Sequence, residues 1–169
     1  MKEWLLIDGY NVVNNWKEFK TVREENLEHA REMLLAVAAE YAAFKGQEVI
    51  LVFDAQEVQG LSNEESRGGA SIVFTAEGET ADSWIERKTY ELAKEGNKVF
   101  VVTSDYAEQI VILGVGAYRI SAREFREEYL AVKKQIHERN SREIQGKARN
   151  EVGNRLKDDV LSKLERLRR

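Results

Sequence analysis

Trp4-Leu5-Leu6-Ile7-Asp8-Gly9-Tyr10-Asn11 joins a continuous apolar run to a polar, turn-rich segment. Four apolar residues in a row suit a strand buried on both faces, as in a parallel sheet. The pattern recurs along the chain. Val49-Ile50-Leu51-Val52-Phe53 ends at Asp54, and Val99-Phe100-Val101-Val102-Thr103 runs into Ser104-Asp105. Ser71–Thr75 and Ala117–Ile120 predict two further strands. Helical periodicity fills the intervals. Thr21 and Glu24 have the spacing of a capping box, and Leu27, Ala30, Leu34, Val37, Ala38 and Tyr41 make one apolar stripe that Gly46 closes. Thr80 caps a second helix through about Glu95, with Ala81, Trp84, Ile85, Leu92 and Ala93 as its stripe and Gly96 as its stop.

Strands alternating with helices define an α/β fold with a central, mostly parallel sheet and helices on both faces. Polar residues 56–70, with Gly60, Gly68 and Gly69, predict a long loop of the kind that carries function. A short helix is predicted over 106–113. Ser121 and Glu124 repeat the capping-box spacing and open a helix through about Arg139. Residues 140–154 read as a polar joint, and 155–168 as a final basic helix. The expected organisation is thus a main domain over 1–139 and a joint with a basic C-terminal helix over 140–169.

Composition narrows the class. With 43% hydrophobic and 33% charged residues the chain is an ordinary globular sequence of 169 residues. No apolar run approaches the about 20 residues a membrane-spanning helix needs, and nothing at the N-terminus reads as a signal peptide. Cysteine is absent, which excludes disulfides and thiolate zinc sites and makes a reducing cytoplasm the expected address. The net charge of −4 is unevenly spread: residues 1–118 carry 11 Lys and Arg against 21 Asp and Glu, and residues 119–169 carry 15 against 9. That basic third suits either a solvated mixed-charge helix or a polyanion-binding surface.

In parallel α/β folds ligands bind off the carboxyl ends of the strands. Asp8, Asp54 and Asp105 end three strands, and Asp82 lies in the first turn of a helix whose N-terminus faces the same edge. Any one of them alone reads first as a helix cap or a turn residue. Together they would repel: two like charges at 4 Å cost about 4 kcal/mol at an effective dielectric of 20. A cation relieves that, and oxygen ligands without Cys or His point to Mg²⁺ or Mn²⁺, suited to phosphodiester hydrolysis. His29 and His137 both read as surface residues away from the strand ends, so histidine general-base chemistry is not expected. Ser104 has no histidine partner, and neither phosphate-loop nor dinucleotide glycine motifs are present.

The stretches Leu6-Ile7-Asp8-Gly9-Tyr10-Asn11, Val52-Phe53-Asp54-Ala55, Glu79-Thr80-Ala81-Asp82-Ser83-Trp84-Ile85-Glu86 and Val101-Val102-Thr103-Ser104-Asp105 resemble, in order, the motifs of NYN-domain nucleases. These are relatives of the PIN domain, and the likeness is greatest to the bacterial YacP-type subgroup. Ser121-Ala122-Arg123-Glu124-Phe125 resembles the family's continuation. The resemblance implies a PIN-like three-layer sandwich and a metal-dependent endoribonuclease. Asp8, Asp82 and Asp105 would form the acidic metal centre, with Asn11 and Asp54 as polar support. It further implies cleavage of mRNA in the ribosomal A site, with 5′-phosphate and 3′-hydroxyl products. Arg67, Lys88, Arg123, Arg126, Lys133, Lys134 and the tail from Arg155 are candidate phosphate contacts. Tyr10, Trp16 and Tyr106 are candidates to stack on bases, whereas Trp84 reads as core. The competing readings are a non-catalytic RNA- or ribosome-binding module on the same fold and a metal-dependent phosphatase for small nucleotides.

Overall fold

The computed structural model describes residues 1–55, 65–104 and 114–167. Its centre is a six-stranded sheet of β1 (Glu3–Asp8), β2 (Glu48–Phe53), β3 (Glu65–Arg67), β4 (Ala70–Phe74), β5 (Lys98–Val102) and β6 (Tyr118–Ile120). The spatial order is β3-β4-β2-β1-β5-β6, and every pairing is parallel except β3 with β4. The continuous apolar runs occupy the middle strands, as burial on both faces demands. Alternation then sorts them. Leu6, Ile50, Val52, Val99 and Val101 face Ala81, Ile85 and Leu92 of α4 (Ala81–Lys94), with Ala117 completing that core. Trp84 packs against it half-buried, as expected.

The opposite residues, among them Leu5, Ile7, Leu51 and Phe53, are at most 1% exposed. Helices α1 (Gly9–Asn15) and α3 (Leu27–Lys45) contact β2, so helices lie on both faces of the sheet. Asn26 caps α3, its side-chain oxygen accepting from the His29 amide at 3.1 Å, and Gly46 ends it at φ +66°. Thr80 caps α4 by accepting from Ser83, and Ser121 caps α5 (Ala122–Leu167) by accepting from Glu124 at 3.1 Å.

Four local expectations change. Residues 9–11 are not a turn but the first turn of α1, because the Asp8 side chain accepts from the Asn11 amide and starts a helix there. Thr21 is not a cap. It lies inside the short helix α2 (Lys20–Glu25), and the chain breaks at extended Asn26 instead. Within the 56–70 loop, residues 65–67 form β3, which turns back on β4 through Gly68 at φ +59°. The polar joint over 140–154 is helical throughout, so the two expected C-terminal helices are one. Its sequence explains this. Glu138 and Arg142, Glu143 and Lys147, and Glu151 and Arg155 are each four apart with the acid first, a helix-favouring order, and proline is absent.

The chain divides into two compact units, Met1–Tyr129 and Leu130–Arg169. The first holds the sheet and helices α1 to α4, and the second is the remainder of α5. Among the described residues no helix is long and apolar enough to cross a membrane. The expected helix over 106–113 lies outside the described residues.

Candidate active site

Register places the acids. Asp8 is the Cα partner of Val52, Ile7 is the partner of Val102, and Phe53 is the partner of Phe74. Asp8, Asp54 and Thr103 therefore stand in a row at the carboxyl ends of β1, β2 and β5. Asp8 also begins α1, with its Oδ1 3.3 Å from the Asn11 amide nitrogen. The same first turn brings Asn11 back toward Asp8. The Oδ1 of Asn11 is buried and has no hydrogen-bond partner among the described residues. An amide oxygen left so carries a desolvation cost that a ligand would offset.

Asp54 does something specific. Its Oδ1 accepts a 2.6 Å hydrogen bond from the Ala81 amide, tying the end of β2 to the first residue of α4. The next residue, Asp82, is half-buried in that first turn, where a carboxylate also suits the helix dipole. Thr75, 3% exposed, reinforces the joint: its Oγ1 accepts from the Ala55 amide at 3.1 Å and donates to the Glu79 carbonyl at 2.8 Å. Asp54 thus positions Asp82. Thr103, the residue after β5, is fully buried and donates its amide to the Ile120 carbonyl at 3.0 Å.

Gly9 is the steric key to the edge. A Cβ there would lie 2.3 Å from Cε1 of Phe53. Phe53 in turn meets the edge of Tyr10 at 4.9 Å and stacks on Phe74 at 6.1 Å between centroids. Only glycine lets α1 settle on the end of β2, with Asp8 and Asn11 on either side of the contact.

Asp105 and Tyr106 lie outside the described residues. Among the described residues no three of His, Asp and Glu are gathered closely enough to form a metal cluster. The donors at hand are nonetheless of one kind. Asp8 and Asp82 carboxylates with the Asn11 amide oxygen are hard oxygen ligands, and the orphaned Asn11 oxygen fits a divalent cation of the Mg²⁺ class.

The candidate RNA contacts separate. Arg67 is exposed at the end of β3. Lys88 pairs with Glu91 at 3.6 Å, and Arg123 pairs with Glu127 at 3.5 Å while its side chain is 89% exposed. Lys133 and Lys134 are exposed on α5. Arg126 is bound to Glu18, whose carboxyl it holds below the usual carboxylate range. His29 and His137 are exposed, as expected.

Two stacking candidates are corrected. Trp16 is only 4% exposed; its ring packs on Phe19, Phe125 and Tyr129, and its Nε1 donates to the Ala122 carbonyl at 2.8 Å. Tyr10 is buried against Phe53, with its hydroxyl 3.5 Å from Nη1 of Arg31. An amphipathic aromatic at a polar-looking position buries its ring whenever a partner can take its N–H or O–H. The roles of Gly9, Thr75, Thr103 and Arg31 escaped the sequence reading: Gly9 and Thr103 lie inside the quoted motifs but read there as turn and strand residues, and Thr75 and Arg31 stand in no charged or motif-like cluster.

A mostly parallel sheet with helices on both faces and aspartates at its carboxyl edge is an α/β architecture of the PIN-like kind, and family membership is what supports a nuclease-type domain. The chain belongs to the YacP-like NYN domain family, whose description matches residues 5–169. It is 37% identical over 165 residues to the uncharacterized protein YacP of Bacillus subtilis (strain 168), covering 98% of this chain and 96% of that one. The crystal structure of Rae1 (YacP) from Bacillus subtilis superposes with a TM-score of 0.75 at 37% identity, over 98% of this chain and 94% of the other. The W164L mutant of the same protein gives 0.69 at 38% identity, over 80% and 79%. Nucleases of the NYN and PIN-like kind generally depend on a divalent metal.

Proposed function

We propose that this protein is a Mg²⁺- or Mn²⁺-dependent endoribonuclease that cuts mRNA in the A site of translating ribosomes in the cytoplasm. The observation that carries this reading is the buried, partnerless Asn11 oxygen on the turn that Asp8 caps, at the edge where Asp54 fixes the start of the Asp82 helix. Asp8, Asp82 and Asn11 would hold the cation, together with Asp105. When bound, the cation would supply Lewis-acid stabilisation to a phosphodiester. The chain's own contribution is preorganisation. Asp54 and Thr75 lock α4, and Gly9 seats α1, so the carboxylates need no rearrangement when substrate arrives.

Arg67, Arg123, Lys133 and Lys134 supply exposed positive charge for the RNA backbone, and Lys88 is half-buried beside Glu91. Membership of the YacP-like family and the likeness to Rae1 support the nuclease class.

The test sets the protein against a translating ribosome–mRNA complex and against naked mRNA, with Mg²⁺, and maps new 5′ ends. A discrete cut that needs the ribosome and is lost in Asp82→Asn supports the proposal. Equal cutting of naked mRNA removes the ribosome from it. Binding to the ribosome without any cut assigns the fold to a non-catalytic module instead.

A further inference from the structure

Arg31 is the one charged side chain buried among the described residues, at 7% exposure. A buried guanidinium is costly unless something anionic pairs with it. Among the described residues it has no carboxylate partner. Its contacts there are the Tyr10 hydroxyl, 3.5 Å from Nη1, and the Phe74 ring, 5.8 Å from the guanidinium carbon. A side chain needed only to fill that space would serve better as Met or Leu.

Its place in the fold gives the cost a purpose. β1 and β2 are parallel neighbours, so the connection must return from the carboxyl end of β1 to the amino end of β2. The first turns of α3, with Arg31 in the second, therefore lie toward the carboxyl edge. Both contacts agree. Tyr10 stands between Asp8 and Asn11, and Phe74 is the last residue of β4, level with Phe53 beside Asp54. One cation thus sits behind an edge lined by Asp8, Asp54 and Asp82. Those carboxylates repel a polyanion, and a cation at the same edge offsets that repulsion. The guanidinium has five donors in a planar fork, and the long bond to Tyr10 uses one of them. The remaining fork matches two oxygens of a phosphodiester.

We propose that Arg31 is a phosphate-binding residue of the RNA site, seating a phosphodiester next to the acidic centre. The proposal rests on the nuclease reading above. It is tested separately from it, by binding rather than by cleavage. A fluorescein-labelled single-stranded RNA is titrated with the full-length protein carrying Asp82→Asn, which removes cleavage, and anisotropy is followed across a range of NaCl concentrations. Arg31→Met and Arg31→Lys are each compared on that background.

Loss of one phosphate contact predicts a salt slope shallower by about 0.7 for Arg31→Met. Affinity falls by roughly tenfold or more, as expected for a hydrogen bond to a charged group. The melting temperature of Arg31→Met is unchanged or higher, and Arg31→Lys keeps the parent slope. An Arg31→Met protein that binds RNA with the parent's affinity and slope overturns the proposal. So does one that is destabilised with binding intact, which would make Arg31 a packing residue. Absence of measurable RNA binding by the parent background overturns it too. If protein with Asp82 intact fails to cut RNA while the slope still depends on Arg31, the nuclease reading fails and the phosphate seat stands.

Discussion

Gly9→Ala adds a single methyl group at the crowded point of the site. Its carbon would lie 2.3, 2.4 and 2.7 Å from three atoms of the Phe53 ring. Comfortable carbon contacts are about 3.5–4.0 Å, so the overlap exceeds ~1 Å. The ring has no room to yield. It is fully buried and in contact with the rings of Tyr10 and Phe74. Relief must come from α1 lifting off β2. Overpacking of this kind costs typically about 1–3 kcal/mol. For a chain of this size each kcal/mol lowers the melting temperature by roughly 2–4 °C, so a drop of about 2–12 °C is expected. Activity should fall further than stability, because the segment that moves carries Asn11 and the Asp8 cap. The assay is calorimetry of Gly9→Ala, Phe53→Leu and the double variant, with RNA cleavage measured at a temperature where all three are folded. Phe53→Leu removes the colliding ring, so Gly9→Ala should cost less in its presence, a coupling of ~1 kcal/mol or more. A Gly9→Ala protein with parent melting temperature and activity, or strictly additive costs, would refute the steric argument.

Asp54→Ala removes the cap on the Ala81 amide and should cost about 1–2 kcal/mol in urea unfolding. It should lower cleavage through Asp82 misplacement, while Asp54→Asn, which keeps an acceptor, recovers part of both. Trp16→Phe leaves the Ala122 carbonyl without its buried donor; a loss of roughly 1–3 kcal/mol is expected with RNA affinity unchanged, since the ring is not a base-stacking surface. Tyr41 is held above its ordinary value of 10.0, chiefly by burial and then by its hydrogen bond to Glu128. Its stabilising effect is therefore complete below that ordinary value and is lost as pH rises beyond it. Melting curves above pH ~10 should fall more steeply for the parent than for Tyr41→Phe.

The strand framework was legible because hydrophobic runs bounded by Asp, Gly and Asn leave few alternatives in an alternating chain. Asp8 and Asp54 stand out because the carboxyl-edge rule converts strand ends into a shared location, and Asp82 because it opens a helix that starts at the same edge. Three things were hidden. The helix beginning at Gly9 looked like a turn, since Asp-Gly and Asn are turn residues until the Asp8 side chain caps the Asn11 amide. The continuous α5 looked jointed because Ser141, Gly146, Asn150 and Gly153 break the apolar stripe, although Glu-to-Lys and Glu-to-Arg spacing still favours helix. Trp16, Tyr10 and Arg31 carry polar atoms, and only their tertiary neighbours reveal that these are buried. Local sequence describes what a side chain is; long-range packing decides what it touches.

The most direct test of the central claim is end-group analysis of RNA cut by metal-stripped protein to which Mg²⁺ or Mn²⁺ is restored. Cleavage that returns only with the metal, leaves 5′-phosphate and 3′-hydroxyl ends and is abolished in folded Asp8→Asn and Asp82→Asn variants is the predicted result. Cleavage that persists in chelator, yields cyclic phosphates or survives both substitutions would contradict an acidic metal centre at the carboxyl edge of the sheet.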